Sequence, residues 1–203
     1  PGTTDKGSAP GGHLTDMAML LGFTGPPGCG KNAAADHLID RHDFREVAFA
    51  DPIRQAALAL NPMVDSFYKL EEVVRAWDWT DAKHRWPEVR RCLQVLGTEV
   101  GRDMFGADIW IKRLFKKVET FPAGQRVVIT DVRFPNEADA LWARGGYLIR
   151  LRREAHHHFG VLDHRSETES AALVADHFMP NHGTLGDLHR RLDRLVNRLS
   201  KRS

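Results

Sequence analysis

A chain of 203 residues, 42% hydrophobic and 28% charged, has the length of one folded domain and the composition of a globular protein. Its formal charge of +2 is too small to dictate a polyanionic partner. No stretch approaches the roughly 20 apolar residues of a membrane span, and the two cysteines, Cys29 and Cys92, form neither a disulfide framework nor a CxxC metal pair, which points to a reducing, cytoplasmic setting.

Residues 1–18 are rich in Gly, Pro and Thr and read as a disordered leader or a remnant of cloning, ahead of one domain over 19–203. The apolar run Met19 to Thr24 reads as a buried strand. It leads directly into Gly25-Pro-Pro-Gly-Cys-Gly-Lys31, which matches G-x-x-x-x-G-K, and Asn32 to Ile39 then reads as a helix. This strand-loop-helix context is that of a phosphate-binding loop. Gly25, Gly28 and Gly30 let backbone N–H groups turn around phosphate oxygens, the helix N-terminus adds positive potential, and Lys31 adds a mobile cation. Cys29 occupies a position that tolerates many residues. Asn32 departs from the usual Ser or Thr, although its amide oxygen is still a ligand that Mg²⁺ accepts.

Phe44 to Ala50 reads as a short strand, and Asp51 to Leu60 as a helix with Asp51 as N-cap and Pro52 at its first position, stopping near Asn61-Pro62. The Trp- and charge-rich stretch over 61–92 lacks a strand pattern and reads as a helical insertion. Glu88 to Arg102 and Asp108 to Val118 are helical by period. Arg126 to Thr130 is a strand ending at Asp131, Pro135 to Arg144 a helix, and Tyr147 to Leu151 a strand reached through Gly145-Gly146. Five arginines from Arg144 to Arg165 and the triplet His156 to His158 mark a lid-like segment over 152–167. Adjacent histidines on a loop rarely converge on one ion, so a metal site there is not the preferred reading. His177 to Met179 is a short strand, and the final helix starts at Thr184 with Leu185, Leu188, Leu192, Leu195, Val196 and Leu199 on one face. The alternation predicts a three-layer α/β fold with a five-stranded parallel sheet. Its ligands bind where the carboxyl ends of the strands carry the loop, Asp51, Asp131 and Arg152.

Six stretches together give a resemblance. They are the phosphate loop, Ala50-Asp-Pro-Ile-Arg54, Leu93-Gln-Val-Leu-Gly-Thr-Glu-Val-Gly-Arg102, Thr130-Asp-Val-Arg-Phe-Pro-Asn-Glu137, Asp163-His-Arg-Ser-Glu167 and Asn181-His-Gly-Thr-Leu185. The chain resembles the deoxynucleoside monophosphate kinases of tailed bacteriophages, within the P-loop nucleoside monophosphate kinase group, with the leader and the Trp-rich insertion left outside the likeness. The resemblance implies a P-loop kinase fold, ATP and Mg²⁺ as cofactors, transfer of the γ-phosphoryl group to a deoxynucleoside monophosphate, and work in the cytoplasm of an infected bacterium. No membrane is implied, nucleic acid is not the expected partner, and a homodimer is compatible.

Site roles follow from the resemblance. Lys31 is expected on the β- and γ-phosphates, with Asn32 and Asp131 near the metal; for Asp131, capping of the next turn is the rival role. Arg54 and Arg133 are placed to grip the acceptor phosphate, Asp51 to orient Arg54. Gln94, Thr98 and Arg102 recur at helical spacing with Glu99 beside them, and could meet base or sugar; a solvated helix face explains them as well. Arg150, Arg152 and Arg165 are lid candidates for the transferring group, Ser166 and Glu167 are substrate contacts or helix caps, and the turn with Asn181 and Gly183 would hold the adenine.

Two other functions are open. Residues Arg190 to Arg202 carry six Lys/Arg against Asp193 alone, which suits a kinase acting on a base or end within DNA, although a solvated helix face is the preferred reading. Asn32 suits a nucleotide-binding protein without turnover.

Overall fold

A computed structural model describes residues 18–153 and 165–201, apart from the Glu167 side chain. The expected leader and most of the lid-like segment, including the histidine triplet, lie outside the described residues. Strands β1 (Met19–Thr24), β2 (Phe44–Val47), β3 (Arg126–Ile129), β4 (Tyr147–Arg152) and β5 (His177–Pro180) form one sheet in the order β2-β3-β1-β4-β5. All four pairings are parallel. Every residue of β1 is buried, as a central strand covered on both faces requires.

Helices α1 (Lys31–His42) and α8 (Leu185–Leu199) cover one face, packing Ala34, Leu38, Leu188 and Leu192 onto Leu21 and Phe23. On the other face α5 (Ile109–Val118) and α6 (Pro135–Trp142) bring Leu114 and Leu141 against Leu20, Val127 and Ile129. The three-layer α/β expectation holds. Between β2 and β3 the chain makes a helical excursion of α2 (Ala50–Leu60), α3 (Leu70–Arg85) and α4 (Pro87–Val95), gathered around Ala57, Leu70, Val73, Ala82 and Val89. Helix α3 bends at Asp78, whose φ is +55° and whose carboxylate accepts from the N–H groups of Thr80 and Asp81, restarting the helix. A short helix, α7 (Arg165–Ala172), precedes β5.

Three local expectations are corrected. Period alone makes Glu88 to Arg102 one α-helix, but Leu96–Met104 is a π-helix. The indole Nε1 of Trp110 donates to the Gly97 carbonyl at 2.7 Å, and a Cβ on Gly101 would lie 2.3 Å from the Trp110 ring. A side chain that takes a carbonyl out of the helical ladder widens the turn. In this stretch Thr98 and Arg102 are buried, Gln94 is half-buried and Glu99 is exposed, so a solvated helix face does not describe Thr98 and Arg102. Asp51 is not the N-cap of its helix, which starts one residue earlier at Ala50, and its carboxylate instead accepts from the Ala48 N–H at 3.2 Å. On α8 the apolar face is buried except for Leu185, which is 57% exposed because the first turn runs past the edge of the core.

Candidate active site

The phosphate loop links β1 to α1 in a conformation that only glycine tolerates at its turning points. Gly25, Gly28 and Gly30 have φ of 134°, 73° and 103°. A Cβ at Gly25 would lie 2.3 Å from the Leu151 carbonyl oxygen, and one at Gly30 would lie 2.4 Å from Asn181 Nδ2. Neighbouring strand ends thus press the loop into a tight cradle. Lys31 Nζ donates to the carbonyls of Gly25 at 2.7 Å and Pro26 at 2.9 Å, lying back across the loop. Burial pushes its ammonium below the usual range, Cys29 pulls it up, and Arg133 pushes it down again. Close N–H groups, a helix start and a lysine aimed along the loop fit a polyphosphate chain.

Asp131 follows β3, the immediate neighbour of β1, so sheet order delivers it beside the loop. Its Oδ1 accepts from the Phe49 N–H at 2.7 Å and its Oδ2 from the Ala50 N–H at 2.9 Å, bracing the start of α2. This is a capping role, given to a helix distant in sequence instead of to the next turn. Each oxygen retains a second lone pair, so the carboxylate can still face a cation or its water. With the exposed Asn32 amide at the head of α1, the available donors are oxygens, the set that Mg²⁺ takes.

Cations gather opposite the loop. Arg54 lies 3.5 Å from Asp51, which also meets Lys117 at 3.2 Å, and the Arg54 guanidinium stands 5.8 Å from the centre of the Trp79 ring. Its Nε is buried and has no hydrogen-bond partner among the described residues. Arg133 is exposed, two residues past Asp131, and its charge reaches Lys31. Lys83 on α3 joins them. Burial, and then Arg54 and Arg133, push its ammonium down to about 8, with Asp131 pulling the other way. Sequence reasoning missed Lys83 because α3 shows no motif there; only the tertiary fold brings it to Arg54 and Arg133.

Other candidates serve the frame. Arg102 Nη2 donates to Asn136 Oδ1 at 2.6 Å, its Nη1 lies 3.4 Å from Glu137 Oε1, and its guanidinium stacks on Phe134 at 3.8 Å. Glu137 Oε2 accepts from the N–H groups of Arg133 at 2.8 Å and Phe134 at 3.1 Å. Burial pushes the Glu137 carboxyl up to about 8, with Asp131 adding to the rise and Arg102 opposing it. Two of the six motif stretches are thereby one buried brace that sets the backbone of Arg133. Asn181 Nδ2 donates to the Cys29 carbonyl at 3.0 Å, and its N–H to the Arg152 carbonyl at 2.6 Å, so it supports the loop from below. At Gly183 a Cβ would lie 2.6 Å from the Asp187 carboxylate. Arg150 donates to the carbonyls of Ser170 and Leu173 on the α7 side, and this correction removes it from the lid. Arg165 pairs with Glu169 at 2.7 Å and Asp103 at 3.4 Å, and Ser166 is buried on α7. Arg152 is exposed at the end of β4.

Comparison with known proteins shows the family. The sequence profile of a family described as deoxynucleotide monophosphate kinase matches residues 62–192. That span takes in the Trp-rich stretch, which the motif-based resemblance leaves out. A protein of Acanthamoeba polyphaga mimivirus that carries the same activity provisionally in its name is 33% identical over 202 residues, covering 90% of this chain and 98% of the relative. The deoxynucleoside-5′-monophosphate kinase of Escherichia phage T5 is 25% identical over 181 residues, covering 62% of this chain and 72% of the phage protein. Among solved structures, dephospho-CoA kinase from Campylobacter jejuni aligns with a TM-score of 0.45 at 13% identity, covering 93% of this chain and 100% of the other.

Proposed function

The chain belongs to the deoxynucleotide monophosphate kinase family, and on that premise we propose that it transfers the γ-phosphoryl group of ATP to a deoxynucleoside 5′-monophosphate. An oxygen of the acceptor phosphate forms a bond to the γ-phosphorus as the bond to the β–γ bridging oxygen breaks, giving a deoxynucleoside diphosphate and ADP. The acceptor is already an anion at neutral pH, so no strong general base is needed, and catalysis rests on alignment and on neutralising charge.

The observation that carries the reading is the pair of cationic groups on the two sides of Asp131. Lys31 belongs to the donor side, where it follows the transferring phosphoryl group from the loop. Arg54, Lys83 and Arg133 belong to the acceptor side. Arg54 has a buried N–H for which a phosphate oxygen would be the missing acceptor, and Trp79 and Asp51 fix its plane. Asn32 and Asp131 would hold Mg²⁺, which when bound supplies positive charge to the phosphate oxygens. Arg152, at the end of β4, and Arg165, at the start of α7, would approach the transferring group. Asn181 and Gly183 shape the adenine side by supporting the loop, and Ser166 and Glu167 start the helix behind it. Gln94, Thr98 and Glu99 would meet the base or sugar of the acceptor.

A panel of the four common deoxynucleoside monophosphates, each with ATP and Mg²⁺, tests the reading through ADP release. Turnover with at least one acceptor is expected. A folded protein that releases no ADP above its acceptor-free background with any of the four overturns it.

A further inference from the structure

On the face of the sheet away from Arg54 and Lys83, two imidazoles converge on one carboxylate oxygen. His37 and His42 come from α1 and Asp193 from α8, and their Nε2 atoms lie 2.8 and 2.7 Å from Asp193 Oδ1. The three donor groups lie within 4.8 Å of one another. His37 is nearly buried, with its ring stacked on that of His189 at 3.9 Å and 12°, while Asp193 is 41% exposed and opens the group to solvent. None of these residues contributes to the phosphate loop or the acceptor side.

We propose that His37, His42 and Asp193 bind a divalent first-row transition metal, with Zn²⁺ the ion that suits them best. Two imidazole nitrogens and one carboxylate oxygen are the donor set of such ions, whereas Mg²⁺ takes oxygens and keeps its waters. Zinc bonds of about 2.0–2.1 Å in a tetrahedron set ligands roughly 3.3 Å apart. Oδ1 would move about half an ångström from each nitrogen, by rotation of the half-exposed Asp193 side chain, and the two Nε2 atoms, now within 4.8 Å of each other, would settle at the same spacing. Each imidazole then carries its proton on Nδ1, and water fills the fourth position on the open side. His189 holds the His37 ring in place by stacking. The bound ion ties α1, which follows the phosphate loop, to α8. It is a structural clip distinct from the metal of the phosphoryl transfer.

The full chain, stripped with chelator, is titrated with ZnCl₂ in excess Mg²⁺ by calorimetry, and its melting is followed in parallel. One saturable equivalent and a raised melting midpoint are expected. His42→Gln, which keeps a polar amide at a largely covered position, and Asp193→Asn, at a half-exposed one, should weaken that equivalent at least about tenfold while keeping the far-ultraviolet dichroism of the parent. A variant with His156, His157 and His158 changed to Ser should bind like the parent. Co²⁺ added to the unaltered chain should give visible bands of a nitrogen–oxygen site without thiolate charge transfer. The proposal is overturned by no saturable equivalent, by full affinity in both His42→Gln and Asp193→Asn, by loss only in the triple histidine variant, or by a thiolate band.

Discussion

Arg54 is held by Asp51 and Trp79 with one buried N–H unmatched, and such a group costs about 1–3 kcal/mol until an acceptor arrives. Arg54→Ala should therefore raise the KM for the acceptor by about 10–100-fold and leave ATP affinity largely intact, with Arg133→Ala acting the same way. Initial rates at varied acceptor and varied ATP separate the two constants. A loss confined to ATP would move these arginines to the donor side. Lys83 gives a pH signature. Its ammonium is already half deprotonated at about pH 8, so kcat/KM for the acceptor should fall as pH rises through 8, and Lys83→Met should flatten that limb. For folding the sign is opposite. The folded group releases its proton before the unfolded one does, so stability should rise with pH from about 8 toward the ordinary lysine range, and the variant should lose that rise in urea titrations. A steep limb retained in Lys83→Met would exclude the lysine from acceptor binding. Lys31, Asn32 and the three loop glycines were legible from spacing alone. Lys83 and the pairing of His37 with Asp193 were not, because their meaning arises only where distant helices meet.

At the scale of elements, one carboxylate caps a helix from across the sheet. Asp131 accepts from the N–H groups of Phe49, just before α2, and of Ala50, its first residue, and Asp131→Ala should cost about 1–2 kcal/mol in denaturant unfolding. Asp131→Asn, keeping one acceptor oxygen, should cost less. Equal stability in all three proteins would show that the brace is inert. Strand starts were readable to the residue and strand ends to within one, except in β2, which stops at Val47, three residues short of the expected Ala50, because Ala50 already begins α2. The π-helix at Leu96–Met104 was not readable: its sequence keeps an α-helical period, and the cause is an indole from α5. The same blindness affected Arg102, whose motif suggested a ligand contact and whose side chain locks Asn136 and Glu137 together.

For the whole molecule, net charge is near neutral, and α8 with the residues after it carries a local run of basic side chains. Part of that surface is occupied: Arg190 pairs with Asp187, and Arg191 donates to the Pro180 carbonyl. Replacing Arg190, Arg194 and Arg198 with Gln should leave kinetics with a free monophosphate within about twofold, as solvated positions do. Preferential phosphorylation of an oligonucleotide, weakened steeply by salt and lost in that variant, would establish the DNA kinase instead.

The strand order also shapes how this chain is made. β1 pairs with β3 and β4, never with β2, which follows it in sequence. A ribosome therefore releases the fully apolar β1 long before either partner, and the whole helical excursion is synthesised while that strand stays unpaired. Closing so distant a contact is slow, and an orphaned apolar strand is an invitation to aggregation. Nascent chains stalled before Arg126 should accordingly stay protease-sensitive and chaperone-bound, with protection appearing only after β4 has left the exit tunnel.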